Sequence, residues 1–532
     1  MSPIYLFGIP SGNDQSQHYQ FAWTVYNSVR GGDIYPSFAA DTNHGFGDYG
    51  LRFYPPLTYY VLAGLRAVTG DWYFATLIAL TLVFFVGALG VYLWTRESFD
   101  ERTALIAAAL YTFIPYHLNE IYNNFLFAEL FATAVLPFCF LYLHRTLQRP
   151  DMRNAIGLAL SCSLLVVTHL PLTIMGVIAM TVYAAFSLRK ADLLRQLGWI
   201  GGAAAATVAL TAFYWSRWVP ELAWITHNSQ KYFSTTWDYR TNFLFVASRW
   251  AHLSDDFLNL WFADLMLFVA ILVMAPAAIM LAIDEEKRKK LLPLTAVFAL
   301  ATLLTTPLTA PIWDRLRILQ KLQFPWRWLA VVSIVVAVFG SAGLVWSADQ
   351  VKLGNKPALK AVMAVALASI AFMGVLIVKG PVYVSREKLN ADIASFENST
   401  GCDCWWPVWA KSEAFGQTEK VVAGGREVSI TSWSPRECMF SIPPGDATSA
   451  TVKAWYYPRW IAQVNGVEQT PHSDENGRLT IDVPTAAANV SVRFVEPGYV
   501  IAATVISLLA WIAMLFTGAL LLLKSRQRTS ET

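Results

Sequence analysis

Seven side chains able to carry charge or move a proton fall within one stretch near the N-terminus: Asp14, His18, Asp33, Asp41, His44, Asp48 and Arg52. The stretch runs from Ser11 to Pro56 and precedes a long series of apolar segments. Connectors between helices are mostly short. One this long, this rich in acids and histidines, and closing on Tyr54-Pro55-Pro56 reads as a site rather than a joint. Asp14 and His18 stand four apart and so share one helical face. Ser11, Asn13 and Asp14 are all N-cap residue types, which puts a helix start there. Tyr19, Ala22, Trp23, Tyr26 and Val29 then recur at helical spacing until Gly31-Gly32, giving an amphipathic helix suited to a membrane interface. Asp14 has two readings: a helix cap and nothing more, or a carboxylate at a membrane surface beside a histidine.

Farther along, Glu129 lies just inside an apolar segment and Glu120 in the connector before it. His169 stands in Thr168-His169-Leu170-Pro171. Arg327 enters an apolar segment in Gln323-Phe324-Pro325-Trp326-Arg327-Trp328. Ionisable groups at such depth are costly and mark function more often than packing. The plain alternatives are an interfacial anchor for Arg327, beside its tryptophans, and a helix cap for His169. Glu129 has the weakest alternative, because a carboxylate there needs a partner.

These groups are positioned by a membrane protein. Of 532 residues, 55% are hydrophobic and 14% charged, and the mean hydropathy is +0.41. That composition excludes a soluble enzyme; the net charge of +3 says little. Eleven segments read as spans: 72–95, 103–117, 125–144, 154–170, 172–188, 197–215, 262–283, 291–306, 327–347, 358–378 and 499–523. The stretch 57–69 is too short and reads as re-entrant or interfacial. One set of connectors is short and basic, including Arg145, Arg149 and Arg153, Arg189 and Lys190, and Lys287 to Lys290. By the positive-inside rule that set is cytoplasmic. The other set, including 1–71, 216–261, 307–326 and 379–498, is then outside, and Asp14, Glu129, His169 and Arg327 all fall on that side. The expected domains are 1–71, a first outer loop; 72–378, a helical bundle; 379–498, an outer domain; and 499–532, a last span with a cytoplasmic tail.

Residues 380–498 alternate in short runs, Glu427–Ile430, Ala450–Tyr456, Ile461–Val464, Leu479–Val483 and Ala488–Phe494, with hairpin-type turns at Asn465-Gly466 and Asn476-Gly477. This predicts a small β-sandwich. Five cysteines show no zinc pattern. Cys139 and Cys162 read as inert core residues. A Cys402–Cys438 or a Cys404–Cys438 bridge suits an oxidising compartment, and a directly bonded Cys402–Cys404 pair is disfavoured on geometry. MSPIYLFGIP has no basic region and is too short to span, so it is not a signal peptide. The charge pattern expects either an outside start or a further apolar helix upstream.

The chemistry these groups suit is an outside-facing carboxylate acting as general base on a hydroxyl, with arginines holding a departing phosphate. No nucleotide fingerprint and no nucleic-acid patch is visible.

Gly12-Asn13-Asp14 with His18, Gly45-Phe46-Gly47, Phe53-Tyr54-Pro55-Pro56 with Tyr59-Tyr60, Pro115-Tyr116-His117-Leu118, Glu129, Thr168-His169-Leu170, Pro220-Glu221, Gln323 to Arg327 and Tyr456 to Trp460 occur in an order that resembles the 6-pyruvoyl-tetrahydropterin synthase-related membrane family, near the YfhO-like proteins. Both look like GT-C glycosyltransferases. The resemblance implies a GT-C-like bundle of about eleven spans. It implies a polyprenyl-phosphate sugar donor in the inner (plasma) membrane, an extracytoplasmic acceptor and inversion of the anomeric centre. It implies a catalytic Asp14, with His18 and Glu129 supporting it or holding a divalent cation (Mg or Mn). Arg52, Tyr54, His169 and Arg327 then bind substrate. Two departures stand out: no helix precedes Asp14, and Asn123-Asn124-Phe125 replaces an expected arginine ahead of Glu129. The rival readings are a transporter or lipid flippase, against which no inverted repeat is visible, and a non-catalytic envelope assembly factor.

Overall fold

A computed structural model describes residues 2–229, 237–246, 260–354, 356–397 and 399–530. Among them, seven helices are long and apolar enough to cross a bilayer: Trp72–Arg96, Phe127–Gln148, Lys190–Leu210, Leu260–Ile283, Pro325–Leu353, Pro357–Lys379 and Gly498–Leu521. The predicted span at 291–306 becomes Glu285–Leu304, which with Pro307–Arg315 makes a pair bent by 89°. Three other predicted spans are shorter helices. Glu101–Phe113 stops where Pro115 begins the separate helix Pro115–Tyr122, since the residue before a proline is pushed out of the helical region. Met152–Val166 and Leu170–Ala185 meet at the turn holding His169.

The helix Leu329–Leu353 is the axis of the bundle. Its apolar window is buried throughout, whereas that of the last helix is only 11% buried. The first is therefore packed by protein and the second presents Leu508, Ile512 and Phe516 outward, as lipid contact requires. Small residues let the axis come close to its neighbours. A Cβ on Gly343 would stand 2.3 Å from the backbone nitrogen of Ala277, the close approach typical of membrane helices.

The C-terminal part forms two antiparallel sheets. One has the order β3 (Val421–Val422), β6 (Thr448–Trp455), β10 (Arg478–Val483), β9 (His472–Ser473). The other has β4 (Ser429–Ser434), β5 (Glu437–Ile442), β11 (Ala488–Phe494), β7 (Trp460–Val464), β8 (Val467–Gln469). Alternate residues of β5, β7 and β11 are buried and join those of β6 and β10 in one apolar cluster, the pattern of half-buried strands. Asn465 and Gly466 both take positive φ, 52° and 81°, as the hairpin turn requires. The cysteine expectation is overturned: Cys402 and Cys404 are bonded to each other, while Cys438 is free and buried in β5. A 3₁₀ turn at Asp403–Trp405 brings the two Cα atoms to 5.1 Å, within disulfide range.

The N-terminal stretch is tied to this sheet region. β1 (Ile9–Pro10) pairs with β2 (Tyr383–Val384), Trp455 N–H donates to the Phe46 carbonyl at 2.9 Å, and Tyr49 stacks on Tyr457 with centroids 4.0 Å apart. The amphipathic helix occupies Gln15–Arg30. It is wedged against Leu57–Thr69, with His18, Gln20 and Thr24 buried along with Tyr19, Ala22 and Val25, rather than lying with one face on lipid.

Candidate active site

Asp14 occupies the N-cap position of the helix Gln15–Arg30, but its side chain makes no capping bond. The backbone around it is held from outside the helix. Ser11 N–H donates to the Val382 carbonyl at 2.8 Å, and Asp14 N–H to the Asn124 carbonyl at 3.1 Å. Gly12 makes this approach sterically open, since a Cβ there would meet the backbone nitrogen of Phe125 at 2.6 Å. The Asp14 carboxylate accepts no hydrogen bond from the described residues, which leaves it available to a substrate. It can be reached by water, yet protein crowds round it. That crowding raises its pKa above the ordinary value, and the charge of Arg327 partly opposes the rise.

Glu129 stands in the first turn of Phe127–Gln148 and is 1% exposed. The Tyr116 hydroxyl donates to its Oε1 at 2.6 Å. Its Oε2 lies 3.3 Å from Arg327 Nε, an ion pair without the alignment of a hydrogen bond. This supplies the partner that a carboxylate at that depth needs. Arg327 itself leaves the turn Pro325–Trp328, lies over the Phe324 ring at 4.6 Å, and donates from Nη1 to the Leu322 carbonyl at 3.2 Å. Arg327 is therefore a buried charge partner rather than only an interfacial anchor.

Arg327 lines a cavity of about 400 Å³ together with Tyr54, His169, His227, Lys321 and Trp405. The Tyr54 ring stands edge-on to Trp405 at 5.7 Å, and His227 stacks on Trp405 at 4.8 Å. His169 caps the helix Leu170–Ala185, its Nδ1 accepting from Leu172 N–H at 3.3 Å. The plain reading of His169 thus holds, and the residue also forms cavity wall. His18 is 3% exposed and its Nδ1 is 2.9 Å from the Tyr59 hydroxyl. Burial lowers the pKa of His18 to about 3. It lowers that of His227 to about 4, with Arg327 and Lys321 adding to the effect. Both imidazoles are neutral near pH 7, so the positive charge in this region comes from Arg327 and Lys321.

Arg52 is not part of this cavity, which corrects its assignment to phosphate. It is 0% exposed. Its Nε and Nη2 both donate to Glu221, the latter at 2.8 Å, and its Nη1 and Nη2 donate to Glu496 at 2.7 and 2.9 Å. Arg459 and the Tyr457 hydroxyl also donate to Glu221, each at 2.7 Å. Every nitrogen of the Arg52 guanidinium is committed to fastening the N-terminal stretch to the sheet region. No group of three or more His, Cys, Asp and Glu side chains is placed to hold a metal among the described residues.

Lys321, His227 and Trp405 were missed in the sequence, and Tyr59 and Tyr116 were named there only as motif residues without a role. Lys321 stands two residues before the Gln323–Arg327 motif, and Tyr116 lies within another singled-out motif. His227 carries no local signal, and Trp405 is brought in by the Cys402–Cys404 turn.

Long apolar helices around a buried axis, with polar groups gathered at the end that carries the sheets, define a polytopic membrane protein. The chain belongs to the 6-pyruvoyl-tetrahydropterin synthase related family of membrane proteins, which residues 51–383 match. It is 23% identical over 116 residues to an uncharacterised protein of Lactococcus lactis subsp. cremoris (strain MG1363), a match covering 21% of this chain and 19% of that protein. Among solved structures it is similar to the Archaeoglobus fulgidus oligosaccharyltransferase in the apo form, at 15% identity and a TM-score of 0.38. It is also similar to the oligosaccharyltransferase AglB of Archaeoglobus fulgidus in complex with an inhibitory peptide and a dolichol-phosphate, at 17% identity and a TM-score of 0.39. Each of the two matches covers 71% of this chain and 53% of the solved one.

Proposed function

We propose that the protein is a GT-C-like glycosyltransferase of the plasma membrane, moving a sugar from a polyprenyl-phosphate carrier to an acceptor outside the cell. The observation that carries this reading is the Asp14 carboxylate. It is free of any cap, raised in pKa, and close enough to Arg327, Tyr54 and Glu129 to interact with them electrostatically, two of which, Arg327 and Tyr54, line the cationic aromatic cavity. In the reaction, Asp14 takes the proton of the acceptor hydroxyl as that oxygen bonds to the anomeric carbon. The bond from that carbon to the phosphate oxygen breaks on the opposite face, which inverts the centre. Arg327 and Lys321 stabilise the phosphate as it leaves with the electron pair. Trp405 and Tyr54 offer ring faces to the sugar. His18 remains neutral and holds Tyr59 in place. Glu129 fixes Arg327 and lowers the cost of its burial.

The test is sugar transfer from labelled polyprenyl-phosphate sugars by the purified protein and its Asp14→Asn variant at matched amounts. No capping bond is at stake, so folding should survive, and the rate should fall roughly 10²- to 10⁴-fold, the usual worth of a positioned base. Full activity in Asp14→Asn would remove the base from the mechanism.

A further inference from the structure

A second cavity, of about 420 Å³, is lined by the chain neighbours of Asp14 and Arg327. Asn13, next to Asp14 in the chain, and Trp326, next to Arg327, both line it, while Arg327 itself lines the first cavity. Their chemistry is opposite. The first holds Lys321 and Arg327. The second has no charged side chain among its described lining residues, and its polar wall is built largely from four asparagines, Asn13, Asn119, Asn123 and Asn124.

The four amides are keyed in two pairs. Asn123 donates to Asn119 Oδ1 at 2.8 Å, and Asn13 to Asn124 Oδ1 at 3.5 Å. This leaves the Asn119 and Asn124 Nδ2 groups as donors, and the Asn123 and Asn13 Oδ1 atoms as acceptors, with no partner among the described residues. The Trp326 indole N–H, in a side chain 6% exposed, is likewise without a partner there. Leaving the buried Trp326 indole unpaired costs stability, whereas the open amide atoms face the cavity. A cavity that keeps both donors and acceptors open, beside tryptophan rings, suits a ligand that offers both. Hydroxyl groups donate and accept at once, and the C–H face of a sugar ring packs on an indole. Among the described lining residues an anion would find no cation, and a cation no carboxylate.

We infer that this amide-lined cavity binds an uncharged, hydroxyl-rich ligand, the sugar acceptor, while the charged phosphate is kept to the cavity that holds Arg327 and Lys321. The acceptor role rests on the transfer reaction proposed above; the binding chemistry does not.

The test uses the full-length protein in lipid nanodiscs with a Ser11→Cys reporter on the cavity rim, and reads the rate of maleimide labelling. Glucose, galactose, mannose and N-acetylglucosamine are titrated as neutral probes and inorganic phosphate as the anionic one. The expected result is saturable protection by at least one neutral sugar and none by phosphate. Asn119→Ala or Asn123→Ala should weaken that protection roughly two- to tenfold, the worth of one neutral hydrogen bond. The contrast between sugar and phosphate needs neither variant, so a folding defect in them leaves it readable. Protection by phosphate alone, or by no probe, would overturn the inference even if transfer activity is found. Sugar protection in a protein that transfers nothing upholds the binding site and overturns its role as acceptor site.

Discussion

Asp14 and Asp48 are both crowded by protein, but Asp14 is open to water while Asp48 is 4% exposed, and their surroundings give them different tasks. Asp14 has no hydrogen-bond partner among the described residues and faces Arg327. Because crowding raises its pKa, the base form is lost at a higher pH than for a free carboxylate, whose pKa is about 3.9. The acid limb of the transfer rate should therefore lie above that value and disappear in Asp14→Asn. A limb at the ordinary carboxylate position would show that another group limits the rate. Asp48 instead bonds to its own turn, with Oδ1 accepting from Gly50 N–H at 2.6 Å, while its buried Oδ2 lacks a partner among the described residues. Burial raises its pKa to about 7. The folded state thus binds the proton more tightly than the unfolded one, so the contribution is full below the unfolded pKa and is lost as pH rises through about 7. Thermal melting should weaken between mildly acidic and mildly alkaline pH through this group. Asp48→Asn should flatten that dependence, with a gain on the order of a few kcal/mol on the alkaline side. An unchanged slope in the variant would assign the dependence elsewhere.

The elements are joined by charge as well as by apolar packing. Arg52 leaves the short helix Gly50–Phe53 and meets Glu221 and Glu496, which lie far along the chain. Removing one member of such a buried network strands the others. Arg52→Met should cost about 3–5 kcal/mol and lower the folded yield, while transfer per folded molecule stays near that of the parent. Loss of transfer with melting unchanged would return Arg52 to phosphate binding. The sequence showed that Arg52 is special but not why. Both roles call for an arginine in a polar stretch, and only the meeting with Glu221 and Glu496 separates them. Arg327 was read as a phosphate-binding residue with an interfacial anchor as the plain alternative, and its ion pair with Glu129 is a contact that the sequence did not show.

Over the whole molecule the two ends of the bundle differ in character. The helix Trp72–Arg96 starts beside Arg386 and Asn390, which bond to its cap Asp71. It ends beside the Glu97–Arg145 ion pair, near a cavity walled by Arg149, Arg153 and Lys290. The positive-inside rule puts that second end in the cytoplasm. In intact cells, Glu475→Cys, in the sheet region, should react with an impermeant maleimide, and Lys289→Cys only after permeabilisation. The reverse pattern would place Asp14 inside and remove the case for an extracytoplasmic acceptor.

Composition and periodicity by themselves determined that this is a membrane protein, where its main helices lie, and that a β domain precedes the last of them. Apolar length and period-two alternation are local properties, readable without knowing what packs where. The turn at Asn465-Gly466 belongs to the same class, since it needs only two residues able to take positive φ. The candidate site was legible in part: Asp14, Tyr54, Glu129, His169 and Arg327 stood out because charge, aromatic clustering or a cap in an apolar chain is locally anomalous. Their grouping was not legible. The Glu129–Arg327 pair, the stacking of His227 on Trp405, the Cys402–Cys404 bond and the amide-lined cavity bring together residues from distant segments or depend on the turn each adopts. Such contacts arise from packing between elements, and tertiary structure alone decides them.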